Sequence, residues 1–304
     1  MPHLTAFRRL AVATTVFAYL QVVLGGVVRV SGSGLGCPDW PLCNGRPYPG
    51  ADLHSIIEYS HRWVGTVTGV LLIATLVLAW LLFRGNRRTL AWLVTAALGA
   101  IVLEGLVGGL VVIRELAPWL VLVHLAIAML VLALLALTAV RTLPPRSVPP
   151  ASVRRLALAA AGATYVLLLT GSSVVASGAE EGCHSWPLCG GGLQPDFEGV
   201  NAFTMLHRLS AGLIAIFILF VAARAWPARP LRLAAALTVL ALALQLAAGA
   251  AAAVLDNAAA DALHVALGSA VWLAVAVLAS LCFPRPEPAP EPERPAVALE
   301  RSAA

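Results

Sequence analysis

The stretch "CPDWPLC", residues 37–43, returns almost unchanged as "CHSWPLC" at residues 183–189, an offset of 146. The same offset lays Gly25 on Gly171, Ser31 on Ser177, Gly32 on Gly178, Gly36 on Gly182 and His61-Arg62 on His207-Arg208. Further on, with small gaps, "EGLVGG" (104–109) runs parallel to "QLAAGA" (245–250), and "VHLAIAMLV" (123–131) to "LHVALGSAV" (263–271). These pair Glu104 with Gln245 and His124 with His264. Self-similarity over that length reads as a tandem duplication of one folding unit.

Composition places the unit in a membrane. Of 304 residues, 60% are hydrophobic and 12% charged, about half the charged share of soluble domains. A spanning helix needs about 20 mainly apolar residues. Eight segments qualify, near 9–30, 61–83, 89–113, 118–140, 154–176, 203–223, 231–255 and 259–283. The expected fold is therefore an all-α integral membrane protein, with eight transmembrane helices as two pseudo-symmetric four-helix bundles. Its domains are 1–140 and 153–283, joined by a proline-rich linker at 141–152 and followed by a disordered Pro- and Glu-rich tail at 284–304. Residues 1–30 have a basic start and an apolar stretch but no small-x-small cleavage site, so the first span is expected to be retained.

All 20 Lys and Arg positions are arginine. Arg8, Arg9, Arg84, Arg87, Arg88, Arg141, Arg146, Arg154, Arg155, Arg224, Arg229, Arg232 and Arg285 gather at alternate connections, which the positive-inside rule makes cytoplasmic. Both termini then lie in the cytoplasm of a multi-pass cell-membrane protein. The Cys-bearing connections, with acidic Asp39, Asp52, Glu180, Glu181, Asp196 and Glu198, face outward. The net charge of +5 thus reports orientation and points to no nucleic-acid partner. On the oxidising side nearby thiols pair, so disulfides Cys37–Cys43 and Cys183–Cys189 are expected, either as staples or as redox-active pairs. Cys282 lacks a partner and reads as packing.

Of seven histidines, four survive the duplication as two equivalent pairs, His61 with His124 and His207 with His264; His3, His54 and His184 have no counterparts. Ser55 and Asn201 read as N-caps of the second helix in each half, Pro118 as a first-turn residue and Asn257 as a cap. All four imidazoles then sit about six residues into their helices, at one level in the outer part of the bilayer. Two histidines at equal depth on the second and fourth helices of a four-helix unit fit bis-histidine haem ligation. The plainer reading, in which each histidine bonds a neighbouring helix, is weakened by two matched pairs. Two histidines per half leave zinc short of ligands.

Taken together, "GGVVRVSGSGLGCPDWPLCNG", "EYSHRWVG" and "VHLAIA", with the weaker echo "CHSWPLC", "LHRLSAG" and "LHVALGS", resemble the haem A synthase family, membrane enzymes that convert haem O to haem A. The resemblance covers nearly the whole chain except the tail. It implies a substrate haem O flanked by His61 and His124, a haem b cofactor ligated by His207 and His264, and a functional part for the first loop's cysteines. Haem O synthase and cytochrome oxidase assembly proteins are the partners it suggests, beside an unidentified electron acceptor. The implied reaction is an oxidoreductase step on a CH3 group, in which the C8 methyl of haem O becomes a formyl by successive water-derived hydroxylations. Two rival readings are a bis-histidine two-haem electron-transfer cytochrome and a non-enzymatic haem carrier or oxidase assembly factor.

One difference between the halves bears on this choice. Glu58 stands one helical turn before His61, whereas Thr204 stands before His207. Ser55-Ile56-Ile57-Glu58 is also a capping box. Yet an acid in only one of two copied sites is better explained by chemistry present in only one, and it matches the family's required glutamate, as general base or stabiliser of a developing cation. Arg29, Arg62 and Arg208 are candidates for propionate pairing and equally for interfacial anchoring. Glu104 stands where the family tends to have Gln, and an intramembrane carboxylate is either functional or neutral and hydrogen-bonded.

Overall fold

The computed structural model describes residues 2–83, 85, 88–144, 147–191 and 193–284. Among them the chain forms eight long helices and no strand: α1 (Pro2–Val30), α2 (Leu53–Leu82), α3 (Arg88–Ile113), α4 (Pro118–Arg141), α5 (Ala151–Ala176), α6 (Asn201–Ala225), α7 (Arg232–Leu255) and α8 (Ala258–Leu281). All eight are long and apolar enough to cross a membrane, as the hydropathy predicts. Linker residues 145–146 and the tail from residue 285 lie outside the described residues.

Two helix starts correct the sequence reading. α2 begins at Leu53, and its N-cap is Asp52, whose carboxylate accepts the Ser55 N–H at 2.9 Å. Ser55, the expected cap, instead donates its hydroxyl to the Gly36 carbonyl at 2.6 Å. Asn201 is the first residue of α6 and caps nothing, its Nδ2 donating to Asp196 Oδ2 at 2.7 Å. The outer turn of α2 carries His54, Glu58 and Tyr59, so an apolar window starts at 61 although the backbone ladder starts earlier. Asn257 does cap α8, accepting from Ala260 N at 2.9 Å, and Pro118 opens α4.

Within each half the helices close a ring. α1 packs on α2, α2 on α3, α3 on α4 and α4 on α1, and α5 to α8 repeat this order. The histidine-bearing helices α2 and α4 stand diagonally across one ring, as α6 and α8 do across the other. Small residues let the backbones approach, among them buried Ala11, Ala18, Ala79, Ala91 and Ala97 in the first half and Ala157, Ala160 and Ala279 in the second. Buried hydroxyls bond their own helix, Thr14 to the Leu10 carbonyl and Thr164 to that of Ala160, because hydrocarbon offers no water.

The halves meet where α8 packs on α1 and α4, and α4 on α5. The Tyr19 hydroxyl of α1 donates to the Ala266 carbonyl of α8 at 3.0 Å, and the Tyr165 hydroxyl of α5 to the Ala126 carbonyl of α4 at 3.0 Å. Tyr19 and Tyr165 are duplication partners, so the seam itself carries a pseudo-two-fold relation. Trp272 of α8 adds an indole bond to the Met129 carbonyl at 2.9 Å. The exits from α1 and α5 also match, each turning on a left-handed glycine, Gly32 (φ +65°) and Gly178 (φ +71°).

Candidate functional site

Both disulfides are formed, Cys37–Cys43 and Cys183–Cys189, and Cys282 is a buried free thiol. The arginine following the first histidine of each half grips the loop above it. Arg62 Nη1 donates to the Asp39 and Leu42 carbonyls at 2.9 and 2.6 Å, and Nη2 to the Cys37 carbonyl at 2.7 Å. Arg208 does the same with the carbonyls of Ser185 (2.5 Å), Pro187 (3.3 Å) and Cys183 (3.2 Å). A planar guanidinium with five donors suits such converging carbonyls better than an ammonium. Asp39 braces its loop from within by accepting the N–H groups of Gly45 and Asn44, which hold its carboxyl below the ordinary range. Arg29, the third arginine considered for propionates, pairs with Glu180 of the second loop.

Glu58 is buried, 3% exposed. It does not complete a capping box, since the cap is Asp52. Its Oε2 accepts the Cys37 N–H at 2.8 Å and its Oε1 a bond from Arg62 Nη2 at 2.5 Å. Thr204, its counterpart, bonds the Ala179 carbonyl at 3.2 Å. The first half therefore joins an acid, a guanidinium and a disulfide in one cluster, and the second half repeats the guanidinium and disulfide without the acid.

Each histidine ring lies against a glycine of the preceding helix. A Cβ on Gly25, Gly108, Gly171 or Gly249 would come within 3.1, 2.9, 3.0 or 2.9 Å of Cε1 of His61, His124, His207 or His264 respectively. One turn before three of these glycines stands a polar side chain that meets the same ring. Gln21 Nε2 lies 3.2 Å from His61 Nε2, Glu104 Oε1 3.0 Å from His124 Nδ1, and Gln245 Nε2 3.1 Å from His264 Nδ1. At His207 the fourth seat uses Thr170, whose Oγ1 lies 3.0 Å from Nδ1, while Leu167 holds the turn-earlier position.

These seats fit an iron porphyrin. The Thr170 hydroxyl donates its one proton to the Leu167 carbonyl at 2.7 Å, so it accepts from His207 Nδ1–H, and the Nε2 lone pair is left for a metal. At His124 the Glu104 carboxyl is within ion-pair distance of Nδ1, yet Nδ1 is buried without a hydrogen-bond partner. At His61 Gln21 meets Nε2, and Nδ1 is likewise buried without a partner. A haem held by that nitrogen would have to displace Gln21, whose own Oε1 is unpartnered. Gln245 Oε1 and Glu104 Oε2 are also buried and unbonded, at a cost of about 1–3 kcal/mol for each such group. Polar atoms unmet around four imidazoles, on seats kept clear by glycine, are what a bound ligand would complete.

The structure thus brings Glu58, His61, Arg62 and the Cys37–Cys43 loop together, and sets His124, His207 and His264 each against a glycine of the preceding helix. Sequence reasoning missed Gln21 and Thr170 as histidine partners. The legible signal was a polar residue four before a repeated glycine, present at 21/25, 104/108 and 245/249. Trp40 was also missed; its indole packs where a Cβ on Gly109 would lie, 2.7 Å away, so the first loop covers the His124 side of its bundle.

The chain matches the COX15-CtaA family model, described as cytochrome oxidase assembly protein, over residues 8–55 and 51–277. It is similar to the protein named heme A synthase from Symbiobacterium thermophilum, 30% identical over 261 residues, 81% of this chain and 85% of that one. The heme A synthase of Bacillus pumilus is 31% identical over 230 residues, 71% of this chain and 74% of its own. That of Bacillus licheniformis is 33% identical over 125 residues, 41% of either chain.

Proposed function

The chain belongs to the COX15-CtaA family of cytochrome oxidase assembly proteins, and from that membership we propose that it is a haem A synthase of the cell membrane, acting on haem O in haem A biosynthesis. The observation that carries the proposal is an acid in one copy only of the duplicated cluster of second-helix histidine, arginine and disulfide loop. Two copies of a seated histidine pair serve two haems, but only the first has Glu58, bonded to Cys37 N and Arg62.

Haem O is assigned to His61 and His124 of domain 1–140. His207 and His264 of domain 153–283 would hold haem b, which supplies one-electron redox chemistry when bound. Oxidation of the C8 methyl proceeds in two stages. In each stage the carbon releases two electrons to a one-electron acceptor outside this chain and gains a hydroxyl from water, with two protons released. The resulting gem-diol loses water to give the formyl. Glu58 orients the attacking water and takes its proton on lone pairs not used by Cys37 and Arg62. Arg62 keeps the carboxylate at the loop, and Arg29, part-exposed at the outer end of α1, is the arginine freest to exchange its partner for a propionate. Outward-facing disulfide loops and cytoplasmic arginine clusters complete the assignment, with haem O synthase and oxidase assembly factors as expected partners.

The test is expression in a host supplied with haem O, followed by acid-acetone extraction of the purified protein's pigments and chromatography. Haem A or its hydroxylated precursor beside haem b supports the enzyme. Haem b alone would favour an electron-transfer cytochrome, and unchanged haem O alone a carrier.

A further inference from the structure

Glu104 of α3 is a carboxylate inside a membrane-spanning helix, and the mechanism above gives it no part. Its side chain is 15% exposed and its Oε1 lies 3.0 Å from His124 Nδ1, while that Nδ1 and the Glu104 Oε2 both lack a hydrogen-bond partner. Glu104 and Gly108 are one helical turn apart and both meet the same imidazole, the first with its carboxyl and the second by its missing side chain. The four seats have the same build but different chemistry, with an amide at His61, a carboxylate at His124, a hydroxyl at His207 and an amide at His264. The duplication partner of Glu104 is Gln245, so the two fourth-helix histidines differ in one neighbouring functional group, a carboxyl against an amide.

We propose that Glu104 is a positioning residue for the substrate haem, accepting the Nδ1–H of His124 so that this ligand turns its Nε2 to the iron as a stronger donor than His264. This rests on the assignment of His61 and His124 to haem O. A carboxylate accepting from Nδ1–H fixes the tautomer and orientation of a ligating imidazole and raises its basicity, more than a neutral amide oxygen in the same place would. Greater donation favours the oxidised iron and, through it, a macrocycle losing electrons from its edge. The carboxyl stands in the half whose haem must give up electrons in the reaction. The half whose haem only exchanges them has the neutral amide. No buried cation faces the carboxylate among the described residues, so His124 is the group that accounts for its burial.

The test uses the full-length protein loaded with haem in a host making haem O, with Glu104→Gln, Glu104→Leu and His124→Ala compared by redox titration and low-temperature electron paramagnetic resonance. Glu104→Gln copies the residue at Gln245 and conserves shape. It is expected to keep both low-spin signals, shift the first haem's midpoint potential upward and move its g-values toward those of the second. Glu104→Leu is expected to shift the potential further and to lose part of the first signal. The second-half haem should be unchanged in both and so report intact folding. Potentials and g-values of the first haem identical to wild type in both Glu104 variants overturn the proposal. A His124→Ala protein that keeps its full haem complement and first low-spin signal overturns the underlying assignment instead, and the proposal with it.

Discussion

Glu58 Oε2 accepts the backbone N–H of Cys37 at 2.8 Å, so the only acid beside a seated histidine pair's first member and the first-loop disulfide form one unit. The same carboxylate takes a bond from Arg62, which holds three carbonyls of that loop. Position of the acid and closure of the loop are therefore coupled through a single guanidinium.

Replacement of Glu58 separates binding from chemistry. Glu58→Gln is expected to retain wild-type haem content, since it touches no ligand nitrogen, while haem A formation falls by about two to four orders of magnitude, the usual worth of a positioned general base. Chromatography of extracted pigments measures both. Normal haem A content in this variant would remove Glu58 from the mechanism.

Arg62 should not tolerate lysine. It serves four acceptors from two nitrogens, and an ammonium has three donors diverging from one point. Arg62→Lys is expected to lower thermal stability by about 1.5–3 kcal/mol, the worth of one lost charge-assisted bond, and to lower haem A formation with it as Glu58 loses its anchor. An unfolding curve and turnover both equal to wild type would show that the loop does not depend on this contact.

The glycine seats make a sharper prediction. Gly249→Val drives side-chain atoms into the His264 ring and is expected to abolish haem b binding while leaving the first-half haem. Gly212→Val, where a Cβ meets nothing within 4 Å, should leave both. The pyridine haemochrome ratio per protein reads the difference, and equal haem content in the two variants would refute the seat.

Much of this was legible in the sequence because it is written twice. Apolar length marked the eight spans, and the repeated Cys loops and histidines pointed to two candidate sites. What escaped was pairing between helices. Nothing along α1 says that Gln21 reaches His61 rather than lipid, or that Thr170 replaces it in the second half, since such contacts depend on helix rotation within the ring. Ser55 looked like a cap because it begins a capping box, but Asp52 offers a carboxylate three residues earlier and took the role. Arg62 and Arg208, candidates for propionates or for interfacial anchoring, each hold carbonyls of their own loop, a contact that the sequence alone does not announce.

Orientation is testable with thiols, because Cys282 is the only free one among the described residues. In a Cys282→Ala background, Leu193→Cys, at a position 84% exposed in the second Cys-bearing connection, is expected to react with a membrane-impermeant maleimide on intact cells. Pro227→Cys, between α6 and α7, should react only after permeabilisation. The reverse pattern would invert the protein and place the disulfides on the reducing side.

The most direct measurement is the haem complement of two paired variants. Each half is held to grip its own porphyrin between two diagonal histidines, so His207→Ala/His264→Ala purified from a haem O-producing host should lose haem b and retain haem O. His61→Ala/His124→Ala should do the opposite. Iron content and absorption bands unchanged from wild type in either double variant would contradict the account.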